Sequence, residues 1–586
     1  MAGPTDATSP GWSKWDLVAA AAILVAAALL LRCAWTIYPV CGAWLDDSIY
    51  LATSKALAEG HGYRHLWLPT EPYQTKYPIF WPLVLAPVWW LTSALDRAVD
   101  LAQVLTVGLW TVGCGVTYVL LRHRLGLPWW LAGTVVVAAM VNPRTLDLVA
   151  APMAEPLYLV ATMTALLLAT AGERRQALGA TLAGLAAAAA CLTRSVGITV
   201  VVAVVVGYVA RRRWREAGLA LVGPLIVLGA WNLWQRHAHA SNAANPANAI
   251  YEYDLGYQSW ILLDQAARVA WMNTADVLVS TLELLGSLPA PLIDGRLAPA
   301  QPFAWSVYVP AMMLAVLIIV GWLAVLRART APIQLYLAAY LALILVWPFS
   351  MRRFLVPLLP LFVAGLLLGV AWLVAALAAG RAHGVATPGR RRWDLRRAWD
   401  SDVLHTATFI IGGLLILPGT VTLVRAQAHP RITQEFARRE AAAELIVRRT
   451  PEDAVVTLRD GALFYLRTGR KCVPTILTYD PIKLYYAEGR RWSSAGRYLS
   501  PAGVMYDEQN LRENLLRWLD SSGASYVMSY PDLDALVRCL DELTRRLPGR
   551  LVPVGVTDVS RYRLPGSTGP DPPPDVLLRY IRPTGG

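Results

Sequence analysis

Charge is scarce in this sequence. Only 16% of its 586 residues are Asp, Glu, Lys or Arg, against about 25% in a soluble domain. That deficit excludes the three or four soluble domains that the length alone would suggest. Cysteine is scarce too. There are six, none in a CxxC pair, which leaves neither a metal knuckle nor a disulfide scaffold. No internal repeat of fixed period is present. Finger-like and RNP-like motifs are also missing, so nucleic acid is excluded as a partner despite a formal charge of +13. What fills the chain instead is 56% hydrophobic residues, gathered into long runs such as Leu17–Leu31, Leu101–Leu121, Leu182–Val206, Val309–Leu326 and Leu355–Ala379. A bilayer span needs about 20 such residues. The sequence therefore predicts an α-helical polytopic membrane protein with a soluble part at one end.

The arginines order the spans. Clusters at Arg122/Arg124, Arg174/Arg175, Arg211–Arg213 with Arg215, Arg327/Arg329 and Arg381 through Arg397 lie at ends of apolar runs. If all face the cytoplasm, the spans are 15–34, 100–121, 128–147, 156–172, 177–193, 195–210, 217–234, 304–326, 332–349, 354–379 and 403–424. That makes about eleven, with the N-terminus cytoplasmic and the C-terminus outside. Lys14, the apolar stretch and Arg32 read as an uncleaved first span, because no A-x-A site precedes a polar start. Residues 77–95 are apolar, but a crossing there would put Arg122 and every later cluster outside. Tyr77, Trp81, Trp89 and Trp90 suit an interfacial helix instead. The organisation that follows is a transmembrane part, 1–427, with a first outer loop at 35–99 carrying juxtamembrane helices and a second large outer loop at 235–303. An extracytoplasmic domain follows at 428–586. Its helical and strand patterns alternate (helix 435–449, strand 454–458, helix 461–467, strand 472–478, helix 507–519, strand 525–529, helix 533–547, strands 551–557 and 576–581), which predicts an α/β sheet domain. Residues 565–574 form a proline-rich loop.

Some charges are not needed by this topology. Asp46 and Asp47 follow the first span, flanked by Trp44, Leu45, Ile49 and Tyr50. Adjacent carboxylates raise one another's pKa, and either can serve as a general base. Lys76, Arg144, Arg194, Arg352 and Arg353 sit at outer ends of apolar runs. Snorkelling to headgroups accounts for some of them. An anion site at the outer leaflet is the sharper reading, since arginine grips phosphate with a bidentate fork. Glu155 holds one of these arginines or a sugar hydroxyl. His61 and His65, near Glu59 and Glu71, read as surface histidines. The compartment permits a disulfide among Cys33, Cys41, Cys472 and Cys539, but their spacing requires none.

The order of these residues resembles the polyprenyl-phosphate-dependent membrane glycosyltransferases of the GT-C fold. The branch is the one holding the aminoarabinose transferases, the protein O-mannosyltransferase relatives and the rhizobial lipopolysaccharide-core transferases. Asp46-Asp47-x-x-Tyr50 is similar to that family's Asp-Glu-x-x-Tyr, and Glu59-Gly60-His61-Gly62-Tyr63 to its Gly-rich stretch. Lys76-Tyr77-Pro78 with Pro82 resembles its Lys-Pro-Pro motif, with Tyr at the first proline. Ala154-Glu155-Pro156-Leu157-Tyr158 resembles its Ser-Glu-Pro-Leu start of the fourth span. Leu192-Thr193-Arg194-Ser195-Val196-Gly197 resembles its Thr-Arg/Lys-x-x-Gly turn, and Arg353-Phe354-Leu355-Val356-Pro357-Leu358-Leu359-Pro360 its Arg-Tyr-Leu-x-Pro-x-x-Pro run. Six motifs occur in order, each on the side that the arginine count assigns.

The resemblance implies a GT-C-like transmembrane domain plus the α/β domain, and an inverting glycosyltransferase in the plasma (inner) membrane that works in cell-envelope biogenesis. Its donor would be a polyprenyl-phosphate sugar, and its acceptor a glycan, lipid or protein, with membrane lipids around it. Asp46 matches the family's catalytic aspartate; adjacency leaves the roles of Asp46 and Asp47 exchangeable. Lys76 matches the phosphate lysine, with Arg194, Arg353 and Arg352 beside it as further phosphate ligands. Glu155, Tyr50 and Tyr63 would contact substrate. A divalent metal is used by some relatives of the fold and stays open for this chain. His61 and His65 with Glu59 and Glu71 have a spacing that permits one, but the surface reading fits them better, and no cluster makes a convincing metal site. Two other classes differ in their use of these charges. A transporter or flippase of a lipid-linked anion would place its site near the midplane, and a non-catalytic scaffold would leave the Asp pair and Lys76 without a role.

Overall fold

The computed structural model describes residues 13–36, 41–171, 176–251, 266–286, 304–326, 330–347, 351–381, 401–428, 433–474, 498–499, 505–506, 515–516, 519–530, 534–558 and 573–582. The arginine clusters at 174/175, 327/329 and 390–397 lie outside these residues. So do most of the 507–519 helix, the end of the 472–478 strand and most of the 565–574 loop.

Long runs of Leu, Ala and Val form helices because in a bilayer every backbone group must be satisfied within its own segment. Among the described residues seven helices are long and apolar enough to cross: Lys14–Thr36, Leu95–Arg124, Gln176–Thr193, Trp214–Ala243, Trp305–Ala324, Met351–Leu377 and Asp402–Arg425. Counting one sharply bent pair as a span makes eight. Shorter apolar helices cover Phe80–Leu91, Trp129–Met140, Ser195–Ala210 and Ala331–Leu345. The chain is a multi-pass membrane protein. We number the elements used below as α1 (Lys14–Thr36), α2 (Asp46–Ala58), α3 (Phe80–Leu91), α4 (Leu95–Val119), α5 (Trp129–Met140), α6 (Pro143–Ala150), α7 (Glu155–Ala169), α8 (Gln176–Thr193), α9 (Ile198–Ala210), α10 (Trp214–Ala243), α11 (Ala266–Gly286), α12 (Ala304–Ala324), α13 (Ala331–Leu345), α14 (Met351–Leu355), α15 (Leu359–Arg381), α16 (Asp402–Ala428) and α17 (Thr433–Arg449).

One expected span is corrected. Residues 128–147 do not run through: α5 stops at Met140, and Asn142 starts α6 by accepting from the Arg144 N–H at 2.9 Å, with Pro143 at the first helical position. Proline fits there because that N–H has no intrahelical partner. The axes of α6 and α7 then differ by 111°. The apolar segment at 77–95 holds α3, whose twelve residues reach about 18 Å, short of a hydrocarbon core of about 30 Å. At the other extreme, α10 has thirty residues and reaches about 45 Å, well past that thickness.

The second layer is the C-terminal sheet. It comprises β1 (Val455–Leu458), β2 (Lys471–Pro474), β5 (Tyr526–Ser529), β6 (Leu551–Val556) and β7 (Val576–Tyr580), in the order β2-β1-β5-β7-β6. Helices α18 (Gly461–Thr468) and α19 (Asp534–Arg546) connect within it, and β3 (Tyr498–Leu499) and β4 (Met505–Tyr506) form a separate two-stranded piece. β1 is parallel to β2 and β5, and β7 is antiparallel to β5 and β6. The first loop continues the sheet edge. The Cys472 N–H donates to the Trp67 carbonyl at 2.7 Å, and Lys471 Nζ donates to the Leu66 carbonyl at 2.6 Å. Trp67 and Leu68 share a buried cluster with Ala462, Val473 and Val527. The domain is thus packed on the loop that follows α1.

Candidate active site

A cavity of about 750 Å³ lies between the helical bundle and the sheet domain. Eight Lys or Arg side chains and four Asp side chains line it. That cationic excess favours an anionic occupant.

On the bundle wall, Asp46 opens α2. Arg353 Nη1 donates to its Oδ2 at 2.6 Å, and the Tyr77 hydroxyl donates to its Oδ1. Burial raises the pKa of this carboxyl, but the Arg353 charge, the Tyr77 hydrogen bond and the Lys76 charge outweigh it and hold the group below the usual carboxylate range. Asp46 is therefore ionised at neutral pH. Asp47 faces the other way and is wholly buried. Its Oδ2 accepts from the Gly42 and Ala43 N–H groups at 2.6 and 3.0 Å, and its Oδ1 accepts from the Trp44 N–H at 3.2 Å. Burial pushes it up to about 6 against the pull of these bonds. The pair that the sequence could not separate is divided: Asp46 lines the cavity, and Asp47 ties down the turn that carries Trp44.

Glu155 is the hub of the cationic side. One oxygen, Oε1, accepts from both Arg194 Nη1 and Arg353 Nε, the latter at 2.6 Å. The residue is fully buried and does not line the cavity. Glu155 therefore holds arginines, which is one of the two roles expected of it. Arg194 and Arg353 both lie over the Phe354 ring, at 5.0 and 5.9 Å. Lys76 is buried, lines the cavity and stands over the Tyr77 ring. Its loop is tied to α10. Asn242 exchanges two hydrogen bonds with the Tyr73 backbone, at 2.8 and 2.9 Å, and Gln235 donates to the Thr75 carbonyl at 3.1 Å. Arg352 also lines the cavity, but Glu283 of α11 grips it through both carboxylate oxygens. Tyr50 lines the cavity edge-on to Tyr77, with ring centroids 5.3 Å apart. Tyr63 does not line it. Its hydroxyl donates to the Tyr77 carbonyl at 3.1 Å, and its ring packs on Trp231 and Trp234. Of the residues singled out in the sequence, the structure thus gathers Asp46, Tyr50, Lys76, Arg194, Arg352 and Arg353 on one wall, with Glu155 behind them and Tyr63 and Asp47 beneath.

His65 is buried rather than at the surface, and burial lowers its pKa to about 3. None of the six cysteines forms a disulfide. Among the described residues no three His, Cys, Asp or Glu side chains converge as a metal site requires.

No protein-family model and no curated protein matches the sequence. Solved structures do. The crystal structure of ArnT from Cupriavidus metallidurans in the apo state matches at TM-score 0.50 and 16% identity, covering 97% of this chain and 98% of that one. The same protein bound to undecaprenyl phosphate matches at 0.51 and 15%, covering 98% and 100%. The chain has the ArnT fold. This is the GT-C-like architecture expected from the sequence, a helical membrane part followed by a small sheet domain.

Sequence reasoning missed several residues of this cavity. Tyr77 stands out in the sequence as an interfacial aromatic and as a departure from a proline, with no site role, yet its hydroxyl donates to Asp46. Asp147 of α6 lines the cavity, paired with Arg144 at 3.1 Å, and an acid inside an apolar run was the signal for it. The opposite wall comes wholly from the sheet domain: Arg438, Arg439, Arg459, Asp460, Tyr530 and Asp575. The signal there was a charged pair, Arg459-Asp460, directly after a β-type run.

Proposed function

We propose that the protein is a membrane glycosyltransferase that moves a sugar from a polyprenyl-phosphate donor to a hydroxyl of a cell-envelope acceptor, at the face of the membrane that bears the sheet domain. The observation behind this reading is Asp46: an ionised carboxylate lining a cavity whose bundle wall also carries Lys76, Arg194 and Arg353. The likeness in fold to ArnT, one structure of which is bound to undecaprenyl phosphate, fits such a donor.

Asp46 takes the proton from the acceptor hydroxyl, because a neutral hydroxyl is a weak nucleophile. The hydroxyl oxygen forms a bond to the anomeric carbon as the bond from that carbon to the phosphate oxygen breaks. The electron pair leaves with polyprenyl phosphate, and the configuration inverts. Lys76 and Arg353 stabilise the charge that develops on the phosphate, with Arg194 beside them. Arg353 bridges Asp46 and Glu155, so a phosphate that engages it relaxes its hold on Asp46 and makes that carboxylate a stronger base.

The experiment uses purified full chain, radiolabelled undecaprenyl-phosphate sugars and a panel of envelope acceptors. Asp46→Asn keeps donor binding and loses turnover by about 10²–10⁴-fold, the usual cost of removing a general base. Lys76→Ala raises the donor KM as well, because the cation meets phosphate before and during the reaction. Near-native turnover in Asp46→Asn defeats this assignment of the base.

A further inference from the structure

The sheet domain turns a particular edge to the cavity. From β1 the chain passes through α18 to β2 on one side, and it later returns to place β5 on the other side of β1. The connections leaving β1 and β5 therefore diverge and open a crevice at the carboxyl ends of the parallel strands. That is where ligands bind in open α/β sheets. Arg459 and Asp460 leave β1 there, and Tyr530 leaves β5. Asp575 enters β7 at the same edge, because Val576 pairs with Ser529. All four line the cavity.

The crevice is pre-arranged. Arg438 of α17 forks onto both oxygens of Asp575, with Nε at 2.9 and 3.0 Å. Arg439 pairs with Asp460 at 3.2 Å and donates to the Gly42 carbonyl at 2.6 Å, which ties the crevice to the turn beside Asp46. Asp460 is held at φ +56°, a left-handed conformation uncommon outside glycine and found where surrounding structure enforces it. Fixed carboxylate and guanidinium groups beside a tyrosine ring match a polyhydroxylated ligand. Sugar hydroxyls donate to the carboxylate and accept from the guanidinium, and the C–H face of the ring packs on an aromatic.

We infer that this crevice is the acceptor subsite and that the acceptor is a saccharide, with Arg459 and Asp460 setting its specificity. The inference rests on the glycosyltransferase reading: the bundle wall holds the donor phosphate, and the domain wall presents a sugar hydroxyl across the cavity to Asp46.

The test uses purified full chain, radiolabelled undecaprenyl-phosphate sugar and a titrated envelope extract from the source cells, with undecaprenyl phosphate affinity measured separately. In wild type the label becomes linked to a sugar hydroxyl oxygen of the product. Arg459→Ala and Asp460→Asn each raise the half-saturating amount of extract by about tenfold, the loss of one hydrogen bond to a charged group. Undecaprenyl phosphate affinity stays at the wild-type value. Asparagine tolerates the left-handed conformation, so the second variant removes charge without disturbing the turn. Label on a protein side chain, unchanged extract dependence in both folded variants, or a loss confined to undecaprenyl phosphate affinity overturns the proposal. So does a wild-type chain that binds undecaprenyl phosphate but labels no sugar. A chain that neither binds undecaprenyl phosphate nor transfers label takes down the donor reading itself.

Discussion

Neighbouring residues on a helix point about 100° apart, and that rotation separates two aspartates identical in sequence context. Asp46 meets Arg353 and Tyr77 at the cavity, whereas Asp47 meets three backbone N–H groups of the preceding turn. An asparagine at position 47 has one acceptor oxygen where the carboxylate has two, so at least one of those N–H groups loses its partner. Asp47→Asn is expected to cost about 1–3 kcal/mol, the price of a buried unsatisfied donor, while turnover per folded molecule stays close to wild type. Thermal unfolding in detergent, alongside the initial rate, checks this. A variant with native melting and no turnover assigns the base to Asp47 instead.

At the scale of elements, close packing depends on small residues placed where helices cross. On α15, Gly365 and Gly369 are four residues apart and face Gly321 and Leu317 of α12. A methyl group at Gly369 would stand 2.1 Å from the Leu317 carbonyl oxygen, and one at Gly321 would stand 2.0 Å from the Gly365 carbonyl oxygen. Lipid supplies no hydrophobic drive between helices, so this backbone approach is a main source of their attraction. Gly369→Leu is expected to lower the melting temperature and the detergent-extracted yield, with an overpacking cost of about 1–3 kcal/mol or more. Gly413→Leu on α16, with nothing within 4 Å of its added carbon, is the tolerated control. Equal yields from both would show that the α12–α15 crossing is not held this way. The break between α5 and α6 belongs to this scale too, because it brings Asp147 to the cavity and sends the chain on to Glu155.

For the whole molecule, the sheet domain is fastened over the cavity by contacts far apart in sequence. These include Arg439 to Gly42, Lys471 to Glu71 and Arg467 to Asp96. All three reach the first loop or the start of α4, so that loop and the C-terminal domain share one side of the membrane. We propose that this side is the exterior, as the positive-inside reading of the arginine clusters expects. A cysteine introduced at the exposed Ser521 is expected to react with an impermeant maleimide added to intact cells. Five of the native cysteines are buried and Cys191 is half-buried, so background labelling is low. Labelling only after permeabilisation reverses the orientation.

The sequence alone determined the membrane class, the general helical pattern, the α/β character of the tail and the charges stranded at the ends of apolar runs. Each of these follows from local chemistry: apolar runs must span, strand and helix periods differ, and a cation stranded at an apolar end needs an anion. Tertiary structure decided the rest. It turned Asp46 inward and Asp47 back, made Glu155 the counter-ion of two arginines from separate segments, and completed the cavity with Arg438, Arg459, Asp460 and Asp575 from more than 350 positions beyond Asp46. Composition and periodicity describe a segment against its solvent. They carry no information about which distant segment closes over it, because that depends on the crossing of helices and the order of strands in the sheet.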